Sequence, residues 1–250
     1  MTGIYGDVIG AGYATRRRPD PRIERQIRTA LGDAATVLNV GAGAGSYEPR
    51  DRLVVAVEPS TVQLAQRPKG AAPAVRGVAE ALPFLDRSFD ACLTVLTLHH
   101  WSDQGRGLAE LKRVARRRVV ALTHDWRGID LPWLVRDYFP GIVTSDLDRF
   151  RPIEEVAAGL GGGRVEAVPI PADCVDGFLL AHWRRPEAYL DASVRAAMSG
   201  FHEIPRHEVE DGVARLRADL ASGAWQRRNN KLLDVDAYDG GYRLVIAELR

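Results

Sequence analysis

Apolar residues in this chain fall into short continuous runs, separated by segments in which apolar positions recur every three or four residues. The runs at residues 36–40, 53–57, 74–78, 89–96 and 118–123 are rich in Val, Leu and Ala and hardly alternate with polar positions. That pattern belongs to parallel strands covered on both faces. Before the first run, Ile23, Ile27, Ala30 and Leu31 lie on one helical face, between Asp20 and Pro21 at the start and Gly32 at the end. Residues 60–66 open with a serine cap, and Leu108, Leu111, Val114 and Ala115 mark a longer helix before the fifth run. The β-α-β alternation predicts an α/β fold with a doubly wound, mostly parallel Rossmann-like sheet.

After Thr123 the rhythm changes. Residues 129–139, 152–160, 175–183, 186–198 and 206–220 read as helical, residues 164–170 as a sixth strand and 242–249 as a seventh. With no repeat, low-complexity tract or linker, the chain reads as one domain over residues 1–250. Within it, 1–19 is expected to be a mobile segment covering the cofactor and 33–123 the cofactor-binding core. Residues 124–163 and 171–240 are read as insertions forming a substrate cap, and 241–250 as the last strand.

The 250 residues carry 34 Lys+Arg against 33 Asp+Glu, a net charge of +1. Such a balance provides no global field to hold a polyanion, so nucleic acid is not the expected partner. The opening residues lack a signal-peptide pattern, and no apolar run approaches the ~20 residues of a membrane span. The expected location is therefore cytoplasmic, with no membrane partner. The two cysteines, Cys92 and Cys174, cannot form a disulfide framework or a Cys-rich zinc site, and are expected to be packed thiols.

The strongest local signal is VLNVGAGAGSYE at residues 37–48, a strand running into Gly41, Gly43 and Gly45. Glycines there let the backbone turn sharply and a ligand approach main-chain atoms. The next strand ends in Glu58, seventeen positions after Gly41, where a carboxylate can accept hydrogen bonds from both ribose hydroxyls. A dinucleotide fingerprint would need glycine at position 46, which is Ser46. No Tyr is followed four positions later by Lys, and there is no Gly-Lys pair and no G-x-S-x-G.

In order and spacing these stretches, with VVAVEPS and GVAEALPFLDRSFDACLTVLTLHHWSD, resemble the successive motifs of class I S-adenosylmethionine-dependent methyltransferases, near the ubiquinone/menaquinone C-methyltransferase group. The match spans roughly residues 13–123. It implies a seven-stranded sheet whose last strand is antiparallel, S-adenosyl-L-methionine as cofactor, and methyl transfer to a small-molecule acceptor. Carried over by position, Gly41, Ala42 and Gly43 would line the methionine and ribose portions and Glu58 would bind the ribose. Pro59 and Ser60 would border the adenine, Ala79 and Glu80 would flank its edge, and Thr94 and Val95 would approach the methionine end. Val78 stands where relatives often have Asp. In YATRRRP, Tyr13 would lie near the sulfonium and Arg18 would pair with the cofactor carboxylate. Two alternatives remain open: binding of S-adenosylmethionine without turnover, and an NAD(P)-dependent oxidoreductase.

Methyl transfer from a sulfonium is an in-line displacement that rests on positioning and exclusion of water, so no catalytic side chain is mandatory. Where a base is needed, the candidates are His100 and His124, whereas His99 reads as a packed, hydrogen-bonded residue. His202 and His207, with Glu203, Glu208 and Glu210, are five residues apart and interrupted by Pro205. They fit the polar entry to an amphipathic helix, and no metal site is expected.

Overall fold

The computed structural model describes residues 17–249. Helix α1 (Pro21–Leu31) forms on its sequence signals: the Asp20 side chain accepts the Arg22 N–H, and Gly32 closes the helix at φ 55°. Strands β1 (Thr36–Val40), β2 (Leu53–Val57), β3 (Ala74–Val75), β4 (Phe89–Val95) and β5 (Ala115–His124) pair in parallel in the order β3-β2-β1-β4-β5. Strand β6 (Arg164–Ala167) forms the far edge, and β9 (Tyr242–Glu248) lies between it and β5, antiparallel to both. This is the seven-stranded sheet with an antiparallel last strand that the family resemblance implies.

Alternate strand residues serve two cores. Leu38, Cys92, Val119 and Ala121 share one with α3 (Gln104–Val114) and α5 (Ile153–Gly159). Val37, Leu93, Val120 and Leu122 share the other with α1 and the aromatic residues after β5. Between β1 and β2 there is no helix. Gly41, Gly43, Gly45 and Tyr47 all have positive φ, between 52° and 97°, which an α-helix cannot contain. The short helix α2 (Thr61–Ala65) follows β2, capped by the Ser60 side chain on Gln63 N–H.

The cap departs from the expectations in several places. Residues 129–139 form only a single wide turn at Leu134–Tyr138. Proline disfavours helical geometry in the residue before it, and Leu131 and Phe139 precede Pro132 and Pro140. Pro140 then starts a helix the pattern did not reveal, α4 (Pro140–Arg149). Residues 175–183 are turns held by side chains, with Trp183 Nε1 donating to Ile170 O at 3.0 Å. Residues 186–198 split into a 3-10 turn and the short α6 (Ala192–Arg195), because the Asp191 side chain caps a fresh start on Ser193 N–H. Helix α7 (Arg206–Ala221) forms as expected, and α8 (Ala224–Leu233) follows a left-handed Gly223.

The sixth strand is shorter than read. After Ala167 the chain leaves the sheet, and β7 (Ile170–Pro171) pairs instead with β8 (Ala237–Tyr238) in a separate ladder. Pro169 and Pro171 lack the N–H groups that a longer strand would need. The cap is held by rings: Trp133 meets Trp225 and Tyr189 edge-on, with centroids 5.2 Å and 5.6 Å apart. No helix among the described residues is long and apolar enough to cross a membrane.

Candidate active site

The glycine-rich loop hangs from β2 as well as from β1, since Gly41 N–H and Ala42 N–H both donate to Val57 O. A Cβ on Gly41, at φ 71°, would collide with the Thr97 side chain, so the loop after β1 packs directly on the loop after β4. Its underside is fixed by a network with no local sequence signature. Arg67 donates to both Glu48 oxygens at 2.8 Å and to Gly43 O at 3.3 Å, and Asn39 donates to Glu48 at 3.2 Å. The pair is almost fully buried, and removing one partner of such a pair typically costs about 3 to 5 kcal/mol.

Glu58 sits at the end of β2, 7% exposed. One oxygen accepts Gly43 N–H at 2.8 Å and the other accepts Ser60 N–H at 2.9 Å. Burial pushes its pKa upward, and these two amides with Arg67 oppose the shift. Pro59 is exposed and Ala79 buried. The Glu80 carboxylate turns to the start of α3, where it accepts from Ser102 N–H, Ser102 Oγ and Asp103 N–H. Val78 is exposed. At the end of β4, Thr94 is fully buried with Oγ1 lacking a partner, and Val95 is half-buried.

Tyr13 lies outside the described residues, as does most of the segment expected to cover the cofactor. Arg18 is exposed. Its neighbour Arg17 turns inward and bonds Asp176 at 2.9 Å, and Tyr47 Oη donates to the other Asp176 oxygen at 2.9 Å. Arg17 also lines a cavity of about 60 Å³ between the strand ends and the cap. Leu96, His99 and His124 face this space from the sheet side, and Phe150, Phe178 and Met198 from the cap.

His100 is not among the residues that line the cavity, whereas His99 is. His99 is packed as the sequence suggests, stacking on Phe150 with ring centroids 4.1 Å apart, while its Nδ1 is buried without a hydrogen-bond partner among the described residues. His124 Nε2 lies 2.9 Å from Gly240 O. A carbonyl only accepts, so this nitrogen carries the proton and Nδ1 keeps its lone pair.

A methyltransferase-domain family matches residues 38–122. A solved structure of a protein assigned as a methyltransferase from an antibiotic biosynthesis pathway of Anabaena variabilis is 34% identical, with TM-score 0.87, covering 94% of this chain and 99% of that one. The chain belongs to the class I S-adenosylmethionine-dependent methyltransferases. It is an enzyme, and its cofactor is S-adenosylmethionine. An S-adenosylmethionine-dependent methyltransferase of Thermotoga maritima shares the fold at TM-score 0.56 and 18% identity, covering 96% of this chain and 93% of that one. A tRNA (carboxymethyluridine(34)-5-O)-methyltransferase of Xenopus tropicalis is 28% identical over 49% of this chain and 20% of its own length. The chain spans about a fifth of the length of the curated relatives it matches.

In this methyltransferase His99, His100 and His124 all have pKa values shifted downward, which favours their neutral forms. Burial pushes His100 down to about 3, helped by Arg149, and His124 down to about 4. Burial and then the neighbouring His100, Arg149, His124 and Arg17 hold His99 well below its ordinary value. The His202 region is dispersed: His202 meets Ala196 O, Glu203 pairs with Arg149, and Glu208 accepts Gly141 N–H. Among the described residues, no group of three His, Cys, Asp or Glu side chains is arranged to hold a metal ion.

Gly41→Ala combines left-handed strain with overlap on Thr97. The methyltransferase should lose about 2 to 4 kcal/mol of stability, measured as a shift in the urea midpoint. A midpoint unchanged from the parent would show that the loop relaxes freely.

Proposed function

We propose that the enzyme methylates a small molecule held between the strand ends and the cap, and the observation that carries this reading is the roofed cavity lined by Leu96, His99 and His124 at the strand ends and by Phe150, Phe178 and Met198 above them. A polynucleotide needs an accessible cationic surface, whereas here the cavity arginine, Arg17, is already engaged by Asp176 and the net charge is +1. The antibiotic-pathway assignment of the Anabaena relative supports a small acceptor. The tRNA methyltransferase supports the other reading over only half of this chain.

The residues fit the cofactor. Glu58 spends one acceptor site of each oxygen on a backbone amide, which leaves capacity for two ribose hydroxyls. Gly41, Ala42 and Gly43 would face the methionine and ribose portions, Pro59 and Ser60 the adenine, Ala79 its edge, and Thr94 and Val95 the methionine end. Glu80 would contribute backbone only, since Ser102 and Asp103 hold its carboxylate. Arg18 would pair with the cofactor carboxylate, since Arg17 is held by Asp176. When bound, the cofactor supplies an activated methyl group with a neutral thioether leaving group. The chain's own part is to align the acceptor and exclude water. Of the two base candidates, His124 is the one at the cavity wall.

Calorimetry should show S-adenosylmethionine and S-adenosylhomocysteine binding and NAD failing to bind. Incubation with methyl-labelled cofactor and cell extract should place label in the low-mass fraction. Label found only in RNA would overturn the small-molecule reading while leaving the family assignment intact.

A further inference from the structure

The cavity wall is a nearly continuous belt of flat rings. His99 stacks on Phe150 at 4.1 Å and 24°, and Phe150 meets His124 at 5.7 Å. His124 meets Tyr242 at 4.8 Å, and Tyr242 meets Phe178 at 4.7 Å. Strand pairing builds part of this belt, because His124 at the end of β5 is in register with Tyr242 at the start of β9.

The charged groups at the cavity are already committed. Arg17 pairs with Asp176. Asp146 accepts Trp126 Nε1 at 3.0 Å and Arg149 at 2.9 Å, and Arg149 also holds Glu203 at 2.8 Å. Among the described residues no uncommitted carboxylate lines the cavity to meet an ammonium, so a charged acceptor would be desolvated without a dedicated partner there. His99 is different: its ring lines the cavity, and its Nδ1 has no hydrogen-bond partner. A buried polar nitrogen left in this way is costly, and the cost is recovered where a turn of the ring brings that nitrogen to a ligand hydroxyl.

We infer that the acceptor is a flat, uncharged hydroxyarene seated on the ring belt, with its hydroxyl on a His99 ring nitrogen, and that the reaction is O-methylation. This rests on the small-molecule reading above. The acceptor oxygen forms its bond to the methyl carbon as the carbon–sulfur bond breaks, and that electron pair stays on sulfur. The hydroxyl proton passes to the imidazole and then to solvent. The proton becomes strongly acidic as the oxygen donates its lone pair, so a weakly basic imidazole suffices. The positive charge lost at sulfur reappears on His99, and the net charge of the site does not change.

The test uses four probes of similar size: 4-methylphenol, 4-methylcyclohexanol, 4-methylbenzylamine and 4-methylbenzoate. With S-adenosylhomocysteine present, 4-methylphenol should bind at least tenfold more tightly than the other three. With S-adenosylmethionine it should give the methyl ether, at a rate flat between pH 6 and 8. His99→Phe keeps the stack on Phe150. It should retain cofactor affinity by calorimetry but lose at least 100-fold in rate at pH 7. Its residual rate should then climb about tenfold per pH unit, following the phenolate fraction below the phenol pKa of about 10. A merely structural role for His99 would not produce that slope.

Preferential binding or methylation of the amine, the carboxylate or the saturated alcohol would overturn the hydroxyarene assignment and leave the small-molecule reading standing. So would an unaltered pH profile in a folded His99→Phe. If none of the four probes binds although the cofactor does, the assignment also falls. Label entering RNA alone would remove both readings.

Discussion

Glu58→Ala should weaken S-adenosylmethionine binding by about 2 to 4 kcal/mol, roughly 30- to 1000-fold in Kd. The carboxylate has two tasks. It ties Gly43 N–H and Ser60 N–H together across the crevice at 2.8 Å and 2.9 Å, and its remaining acceptor sites suit a pair of ribose hydroxyls. Alanine removes both. The tasks separate in a double cycle with a cofactor analogue lacking the ribose hydroxyls. Parent and variant should differ far less toward that analogue than toward the cofactor itself, leaving only the loop-tethering part. Calorimetry with S-adenosylhomocysteine gives the same comparison without turnover. A Kd unchanged by the substitution would place Glu58 outside the cofactor site.

The sequence was most legible where a single local cause decides the structure. Strands β1 and β2 match their apolar runs to the residue, because a buried run ends where Gly41 or Glu58 begins a turn. The cap was least legible. Its turns are held by bonds from distant side chains, such as Trp133 Nε1 to Trp183 O at 2.8 Å, and no periodicity encodes such a contact. Pro132 and Pro140 were visible in the sequence, and they override the helical spacing of residues 129–139.

The same division runs through the site. The glycines and Glu58 belong to one short stretch with a recognisable spacing. The Arg67–Glu48 tether joins residues nineteen apart, and the Arg17–Asp176 bond joins residues 159 apart, so neither has a local signature. Residues 17 and 18 lie on a non-helical stretch, where neighbouring side chains point apart, and the arginine that turns inward is Arg17. His99 and His100 share a 3-10 turn at Leu98–His100, and their rings lie against each other with centroids 3.7 Å apart. One of the two reaches the cavity.

The same histidines should make the fold acid-labile well above the carboxylate range. Folding lowers their pKa from about 6.5 to about 3 for His100 and about 4 for His124, and His99 moves the same way. Below pH 6.5 the unfolded chain therefore binds protons that the folded chain refuses, so stability is fully present above 6.5 and is lost as pH falls. Each such group contributes a slope of about 1.4 kcal/mol per pH unit. Glu58 and Asp146 act in the opposite sense, since burial raises both. The net loss between pH 6 and pH 5 should be about 2 to 4 kcal/mol, a large share of the 5 to 15 kcal/mol typical of a domain. Urea midpoints at pH 7.5, 6 and 5 measure this loss, and His100→Asn should reduce the slope by nearly one proton. A stability that stays level from pH 6.5 to 5 would mean the histidines reach solvent. The consequence for activity follows directly: a titrating base near pH 6.5 is not expected in the rate profile. Activity lost at pH 5 should instead track unfolding, and saturating S-adenosylhomocysteine should delay that unfolding by binding only the folded state.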